Sequence, residues 1–170
     1  VVGPPRSGTT LMSNVISNHS NICSLKGETD LFGWRSNFVL FEGRAGRNSS
    51  EFNNLRKSCK DVVGLLDFLA SECKEKNSCE RFLEKTPQHV FHLGFILSHF
   101  PKAKVINIVR DPRDCYASSK SHVHIAQKTP LSFAKYWTRS IDAREKYWNQ
   151  SAIYDVRYEN FVCAPEQIID

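Results

Sequence analysis

Apolar positions follow two different periods along this chain. Short apolar runs predict strands at residues 1–2, 81–85, 104–109 and 153–156. Apolar residues spaced three or four apart predict helices at residues 9–17, 61–73, 87–100 and 132–148, and a further helix opens at Pro112. Strands that alternate with helices of ten or more residues are typical of a parallel α/β sheet, in which ligands bind at the carboxyl ends of the strands.

Turn and capping residues mark the ends of these elements. Thr86 followed by Pro87 predicts a helix start, with Thr as N-cap and Pro at the first helical position. Pro101 ends the same helix. Residues 18–23 are polar and are predicted to form a turn, and residues 43–50 carry the strongest loop signal in the chain.

The composition is that of a folded protein with a general preference for anions. Hydrophobic residues make up 41% of the chain and charged residues 24%, which fits a globular core. The net charge of +5 favours anionic ligands, but Lys and Arg are dispersed, so no nucleic-acid partner is expected. No segment approaches the about 18 apolar residues that span a bilayer, so no membrane contact is expected within these residues. Because the chain begins with Val and ends inside a helical pattern, we expect residues 1–170 to be a single domain truncated at both ends.

Cysteine and histidine spacing does not predict a metal site. Six cysteines are dispersed without a Cys-x-x-Cys pair, and their even number permits disulfides without implying them. His89 and His92 lie three residues apart, and His122 and His124 two apart, but neither pair has a third ligand at a suitable spacing. No metal is therefore expected.

The strongest local signal lies at residues 3–10, between the first strand and the first helix. Gly3 and Gly8 frame a tight loop whose backbone N–H groups, at a helix N-terminus, attract a phosphate. The pattern nearly matches the G-x4-G-K-[ST] nucleotide loop, but Thr9 occupies the lysine position and Arg6 is the loop cation. Thr10 adds a second hydroxyl. The alternative is a capped Gly-Pro turn without a ligand.

A second signal follows the strand at residues 104–109. Arg110 stands at the strand end, and Ser118 lies eight residues further on, two turns into the next helix. Together they offer a guanidinium and a hydroxyl to a second phosphate. The alternative for Arg110 is an ion pair with Asp111 or Asp114.

These motifs together resemble a known family. Residues 5–11 resemble the 5′-phosphosulfate loop of sulfotransferases that use 3′-phosphoadenosine 5′-phosphosulfate (PAPS), and residues 109–113 with Ser118 resemble their 3′-phosphate motif. Residues 157–161, followed by Pro165-Glu166, resemble the R-Y-E-D-L…P-E segment of these enzymes. The order matches over nearly the whole chain, and the pattern is most similar to the tyrosylprotein and bacterial sulfotransferases.

The resemblance implies a fold, a reaction and a set of donor-binding residues. The fold is a P-loop NTPase-like sulfotransferase fold, a three-layer parallel sheet with flanking helices. The reaction moves a sulfuryl group from PAPS to a hydroxyl of a carbohydrate, phenol or protein tyrosine, leaving PAP and a sulfate ester without a metal. The implied donor-binding residues are Arg6, Ser7, Gly8, Thr9, Thr10, Arg110, Ser118 and Tyr158.

Two further residues gain a catalytic meaning from the resemblance. Glu28 matches the first Glu of the G-E-E-T segment, which serves as base in the tyrosylprotein enzymes, and Lys85 matches the catalytic Lys of their N-K-D-P segment. Arg6 and Lys85 would then neutralise the leaving group. Without the resemblance, Glu28 is a surface carboxylate and Lys85 a solvated lysine.

The chain departs from the tyrosylprotein pattern at a few positions. A cysteine pair flanks the base and the lysine in those enzymes, but Lys26 and Leu83 stand nearby here, so that brace is not expected. His122 replaces an arginine beyond the serine of the 3′-phosphate motif. Phe32 and Trp34 either line an acceptor pocket or pack in the core.

The sequence leaves two other functions and the compartment open. A P-loop kinase or NTPase would need ATP, Mg²⁺ and a lysine where Thr9 stands, and a non-catalytic module of the same fold would bind sugar chains or a partner without turnover. The compartment is the cytoplasm for a bacterial protein and the Golgi lumen for a eukaryotic one. Sequons at Asn18, Asn48 and Asn149 matter only in the second case.

Overall fold

The computed structural model describes residues 1–25, 27–33, 47–122, 125–127 and 129–169. The described helices are α1 Thr9–Ser17, α2 Ser49–Ser58, α3 Val62–Asn77, α4 Leu93–His99, α5 Pro112–Ser119, α6 Pro130–Glu145, α7 Tyr158–Cys163 and α8 Glu166–Ile169. The strands are β1 Ile22–Ser24, β2 Arg81–Leu83, β3 Val105–Val109 and β4 Ile153–Arg157, and a 3₁₀ helix covers Pro87–His92. The chain divides into two compact units, one of residues 1–9 and 87–170 and the other of residues 10–86.

The first unit, residues 1–9 with 87–170, contains the parallel pair of β3 and β4. Their register runs from Val105 opposite Ile153 to Val109 opposite Arg157. Val2 joins the other side of β3 through a parallel bridge to Asn107. The strand predicted at residues 1–2 is therefore a single bridging residue, whereas the two strands predicted further along are confirmed within one residue.

Capping residues set the helix boundaries of the first unit. Asp111 caps α5 by accepting a hydrogen bond from the N–H of Arg113, and Thr129 caps α6 in a reciprocal capping box with Ser132. This box starts α6 two residues before the predicted position, and the helix also ends earlier than predicted. The predicted helix at residues 87–100 is divided, because its first six residues form the 3₁₀ helix.

The second unit, residues 10–86, packs α3 against a short parallel pair of strands. β1 and β2 pair over three positions, from Ile22 opposite Arg81 to Ser24 opposite Leu83. The predicted turn at residues 18–23 is thus partly wrong, because pairing with a distant segment turns a polar stretch into a strand. The α3 residues that pack into this core are Leu65, Leu66, Leu69 and Cys73.

The helices of the second unit differ from the prediction at their ends. The Asp61 side chain accepts the Gly64 N–H and starts α3, while Ser78, in the left-handed conformation, ends it four residues later than expected. Asn48 caps α2 with Glu51 in a capping box, so the predicted loop gives way to helix at residue 49. Residues 43–46 of that loop lie outside the described residues.

The prediction of an α/β class with parallel strands is confirmed at this level. Both strand pairs are parallel. No helix in the part of the chain that the structure describes is long and apolar enough to cross a membrane.

Candidate functional site

The loop at residues 3–10 is shaped by two glycines that lie against other parts of the first unit. Gly3 has φ of 148°, and a Cβ there would lie 2.2 Å from the carbonyl oxygen of Ile108 in β3. Gly8 has φ of 102°, and a Cβ there would lie 2.3 Å from Cδ2 of Tyr158. The side-chain-free backbone therefore lets the loop pack directly on β3 and on the tyrosine ring.

Inside the loop, hydrogen bonds close a turn before α1 begins. The Ser7 hydroxyl donates to the carbonyl oxygen of Pro4 at 2.7 Å, and Ser7 is fully buried. Arg6 adopts a positive φ of 66° and is exposed, as is Thr10, whereas Thr9 is buried. The first N–H groups of α1 have no acceptor inside the helix, which makes this loop suitable for an anion. The Ser7 hydroxyl holds the turn, so this residue offers its backbone rather than its side chain.

The structure brings the loop cation to the second motif. Nε of Arg6 donates a hydrogen bond to Oγ of Ser118, 112 residues away, at 3.1 Å. A guanidinium that belongs to the loop and a hydroxyl that belongs to α5 thus lie side by side.

Tyr158 provides a second link between the two motifs. The Arg110 guanidinium lies 4.4 Å from the centre of the Tyr158 ring, a cation–π contact, and the same ring covers Gly8. Arg110 also forms the ion pair that the alternative interpretation predicted, with Nη2 3.5 Å from a carboxylate oxygen of Asp114. The guanidinium is therefore held from two sides, by an aromatic face and by a carboxylate.

Asp111, beside Arg110, pairs with Arg113 instead. Nε and Nη2 of Arg113 donate to the two carboxylate oxygens of Asp111 at 3.0 and 2.6 Å. These hydrogen bonds hold the pKa of Asp111 at about 2, well below its usual value. Asp111 thus bonds to Arg113, while the carboxylate that pairs with Arg110 is that of Asp114.

A cavity of about 420 Å³ opens at the carboxyl ends of β3 and β4. It is lined by Val109, Arg110, Asp111, Pro112, Asp114, Trp137, Arg157, Glu159 and Asn160. Nε of Arg110 and Nε1 of Trp137 are both buried, and no partner lies within hydrogen-bond range in the described residues. Both atoms are donors only, so the chemistry of the cavity suits a ligand that supplies acceptor oxygens. The sequence pointed to Arg110 but assigned no ligand-binding role to Trp137.

In the second unit, Glu28 and Lys85 form an ion pair. Nζ of Lys85 lies 2.8 Å from Oε1 of Glu28, and their side chains are 11% and 42% exposed. Glu28 follows β1 and Lys85 follows β2, so the parallel pairing of these strands carries both residues to the same end. Lys85 is therefore a largely buried, paired cation and not a solvated one.

A hydroxyl cluster lies directly beside this ion pair. Oγ1 of Thr86 accepts the N–H of Thr29 at 3.0 Å and the N–H of Asp30 at 3.1 Å. Thr86 and Thr29 both donate their hydroxyls to Oε1 of Glu84 at 2.7 Å. The predicted N-cap role of Thr86 is wrong, because its hydroxyl bonds to the segment after Glu28 instead of the helix that follows.

A disulfide joins Cys23, in β1, to Cys79, two residues before β2. The two cysteines form a buried cluster with Cys73, and Leu25 and Phe82 pack against it. The sequence predicted no brace here, since the positions used by the tyrosylprotein enzymes are occupied by other residues. A different cysteine pair links the two strand segments that precede Glu28 and Lys85.

The histidines do not form a metal site within the described ranges. Groups of three or more possible metal ligands are absent from these ranges. His89 is buried, and burial lowers the pKa of His92, whose ring centre lies 6.5 Å from that of His89. Lys26, Trp34 and His124 lie outside the described residues.

Comparison with known proteins places these features in a family context. Residues 1–170 match the family described as "Sulfotransferase family". A Caenorhabditis briggsae protein described as "Putative protein-tyrosine sulfotransferase" is 30% identical over 182 residues, which cover 99% of this chain and 56% of that protein. The Mycobacterium tuberculosis omega-hydroxy-beta-dihydromenaquinone-9 sulfotransferase Stf3 is 30% identical over 98 residues, covering 48% of this chain and 25% of that enzyme.

A solved structure supports the same fold. The sulfotransferase domain from the curacin biosynthetic pathway superposes with a TM-score of 0.69 and 19% identity, over 99% of this chain and 69% of that domain's chain. The matched regions cover 25% and 56% of the two curated relatives described above, so this chain spans only part of their length. Because the family match extends over residues 1–170, the chain belongs to the sulfotransferase family.

Proposed function

We propose that this chain transfers a sulfuryl group from PAPS to a hydroxyl acceptor, releasing PAP and a sulfate ester. The observation that carries the proposal is the double link between the two anion motifs, in which Arg6 bonds to Ser118 and Tyr158 contacts both Gly8 and Arg110. A nucleotide with phosphates at its 5′ and 3′ positions needs two neighbouring anion sites, and these contacts between the two motifs support that arrangement. We further propose that residues 1–170 are part of a sulfotransferase domain with a three-layer, P-loop-like sheet.

The donor would be held by backbone and side-chain groups of both motifs. The backbone N–H groups of Gly8, Thr9 and Thr10 would bind the 5′-phosphosulfate at the start of α1. Arg110 and Ser118 would bind the 3′-phosphate. The unpartnered Nε of Arg110 supports this assignment, because a buried guanidinium donor requires an acceptor oxygen.

Sulfuryl transfer requires one bond to form and one to break at sulfur. The acceptor oxygen attacks sulfur, the bond from sulfur to the bridging phosphate oxygen breaks, and the leaving electrons stay on PAP. The acceptor proton passes to the carboxylate of Glu28, acting as general base. Arg6 and Lys85 stabilise the negative charge that grows on the leaving phosphate, as fixed cations do in phosphoryl transfer.

The ion pair of Lys85 with Glu28 supports these two roles. The Glu28 carboxylate and the Lys85 ammonium group lie 2.8 Å apart, so the proposed base and the proposed cation stand side by side. When Glu28 takes the acceptor proton, Lys85 loses its counter-ion and its charge becomes available to the leaving group.

The acceptor is proposed only as a hydroxyl. The names of the two relatives refer to a protein tyrosine and to omega-hydroxy-beta-dihydromenaquinone-9, two chemically different hydroxyls. The transfer assay below therefore includes carbohydrate, phenol and protein-tyrosine acceptors.

The disulfide supports an oxidising compartment, such as the Golgi lumen of a eukaryotic cell. Disulfides persist in such compartments and are rare in the cytosol. The asparagines of all three sequons, Asn18, Asn48 and Asn149, are exposed, as N-glycosylation requires.

Two measurements test the proposed function. Calorimetric titration with PAP is expected to show binding, whereas ATP with Mg²⁺ is expected to bind weakly, because Thr9 replaces the lysine of an ATP-binding loop. Transfer of ³⁵S-labelled sulfate from PAPS to sugars, phenols and tyrosine peptides tests catalysis. Preferential ATP binding would favour a kinase or NTPase, and PAP binding without transfer to any acceptor would favour a non-catalytic module.

A further inference from the structure

The hydroxyl of Thr86 connects the chain segments of Glu28 and Lys85. Thr86 directly follows Lys85 in the sequence, and its Oγ1 accepts the N–H groups of Thr29 and Asp30, which directly follow Glu28. Each hydrogen bond is 3.1 Å or shorter. Oγ1 of Thr86 therefore links the segment that follows Lys85 to the segment that follows Glu28.

The hydrogen-bonding capacity of this hydroxyl is completely used. A threonine hydroxyl has one proton and two lone pairs. The proton goes to Oε1 of Glu84, and the lone pairs go to the two backbone N–H groups. Oε1 of Glu84 also accepts the Thr29 hydroxyl, so its position is determined from both segments. Thr86 and Thr29 are 1% and 4% exposed, so water does not compete for these bonds.

The strands alone do not determine the positions of Glu28 and Lys85. The ladder of β1 and β2 contains only three pairs and ends at Ser24 opposite Leu83. Two-stranded pairs of this size are marginal by themselves, and Glu28 lies four residues beyond the last pair. The hydroxyl cluster is a contact that continues the alignment from this ladder to the ion pair.

We propose that Thr86, together with Thr29 and Glu84, is a positioning device that holds Glu28 at its 2.8 Å separation from Lys85. This inference rests on the proposed function, because it gives the alignment a catalytic purpose. Thr86 acts through the backbone of residues 29 and 30 and does not touch the reacting atoms.

Replacement of Thr86 by valine and by serine tests the proposal. Valine keeps the shape and removes the hydroxyl, whereas serine keeps the hydroxyl. We expect Thr86→Val to lower kcat by about 10- to 100-fold, the loss that small misplacements of catalytic groups produce, with unchanged PAP affinity. Thr86→Ser is expected to restore kcat. The matched control is Thr138→Val, which makes the same change on the exposed side of α6 and is expected to behave as wild type.

Several results would overturn the positioning role. A Thr86→Val variant with the wild-type kcat would overturn it. A Thr86→Ser variant whose kcat is no higher than that of Thr86→Val would also overturn it. Equal loss of PAP affinity and kcat would indicate a general folding defect instead. If Thr86→Val does not fold, Thr29→Val replaces it. That change removes the Thr29 hydroxyl, which bonds to Glu84 and accepts the N–H of Leu31, and leaves the two backbone hydrogen bonds to Thr86 in place. A lower kcat with normal PAP affinity is again expected, and a normal kcat contradicts the proposal.

Two further measurements separate this inference from the proposed function. If Glu28→Ala keeps the full transfer rate, the base role of Glu28 is wrong, and if the wild-type protein transfers no sulfate, the proposed function is wrong. Crystal structures of the wild type and Thr86→Val then still test the alignment. The distance from Lys85 Nζ to Glu28 Oε1 should lengthen out of hydrogen-bond range in the variant, and an unchanged distance refutes the alignment itself.

Discussion

Replacement of Gly8 by alanine tests the tightest contact of the proposed donor site. The φ of 102° at Gly8 is one that L side chains rarely adopt, and the new Cβ would lie 2.3 Å from Cδ2 of Tyr158 and 2.7 Å from its Cε2. Backbone strain of this kind costs about 1–3 kcal/mol. The clash is additional, because two ring atoms cannot both stay where they are.

The clash is expected to reach the second motif through the tyrosine ring. Arg110 lies 4.4 Å from the centre of that ring, so a displaced ring takes away one of the two supports of its guanidinium. We therefore expect Gly8→Ala to lower the free energy of unfolding by about 1–3 kcal/mol through backbone strain, with the clash adding to that loss. A comparable loss in binding free energy corresponds to PAP binding that is roughly 5- to 150-fold weaker.

The assays are isothermal titration with PAP and urea unfolding, with Gly64→Ala as the matched control. A Cβ at Gly64, inside α3, would meet only Oδ1 of Asp61 at an ordinary 3.6 Å. This control is expected to leave PAP affinity unchanged and to raise stability by up to about 1 kcal/mol, the usual gain from glycine to alanine within a helix.

A second genetic background identifies the cause of the loss. In Tyr158→Ala the obstructing ring is absent, so Gly8→Ala should cost less there than in the wild-type background. Wild-type PAP affinity and stability in Gly8→Ala would refute the reasoning. An equal cost in both backgrounds would show that the ring is not the obstacle.

Three further predictions concern the base, the disulfide and acid stability. Glu28→Ala should reduce kcat by about 10²–10⁴-fold, the usual contribution of a general base, while PAP affinity by titration stays close to wild type; a collapse of PAP binding would contradict the assigned role. The double change Cys23→Ser with Cys79→Ser should lower the free energy of unfolding by about 2–5 kcal/mol, and Cys59→Ser, which removes a free thiol, should cost little; equal unfolding curves would argue against the disulfide. Arg113 lowers the folded-state pKa of Asp111 to about 2. The stabilising contribution of the Asp111 carboxylate should therefore be complete above about pH 4, the ordinary carboxyl pKa, and should disappear as the pH falls through 2. Urea unfolding at pH 4 and at pH 2 should accordingly show a smaller effect of pH in Asp111→Asn than in wild type.

Local sequence determined the elements whose signals lie within a few residues of one another. The apolar spacing in residues 9–17 predicted α1 with the observed bounds, because helical periodicity and the glycine before it are local properties. The two motifs proposed to bind anions were also visible in the sequence, since each combines a strand end, a turn and a helix start within about ten residues; their binding of a donor stays a prediction. The family assignment followed from the order of these motifs and is confirmed by the family match.

Tertiary structure decided every feature that depends on which distant segments meet. β1 was read as a turn, because three residues are too short to show a period and only pairing with β2 makes them a strand. The hydrogen bond from Arg6 to Ser118 and the disulfide from Cys23 to Cys79 join residues 112 and 56 positions apart. Sequence spacing contains no information about such meetings, because they are selected by the packing of whole elements. Thr86 is the clearest example, because its local sequence predicts a helix cap. Its hydroxyl bonds instead to a segment 56 residues earlier, where backbone N–H groups require an acceptor.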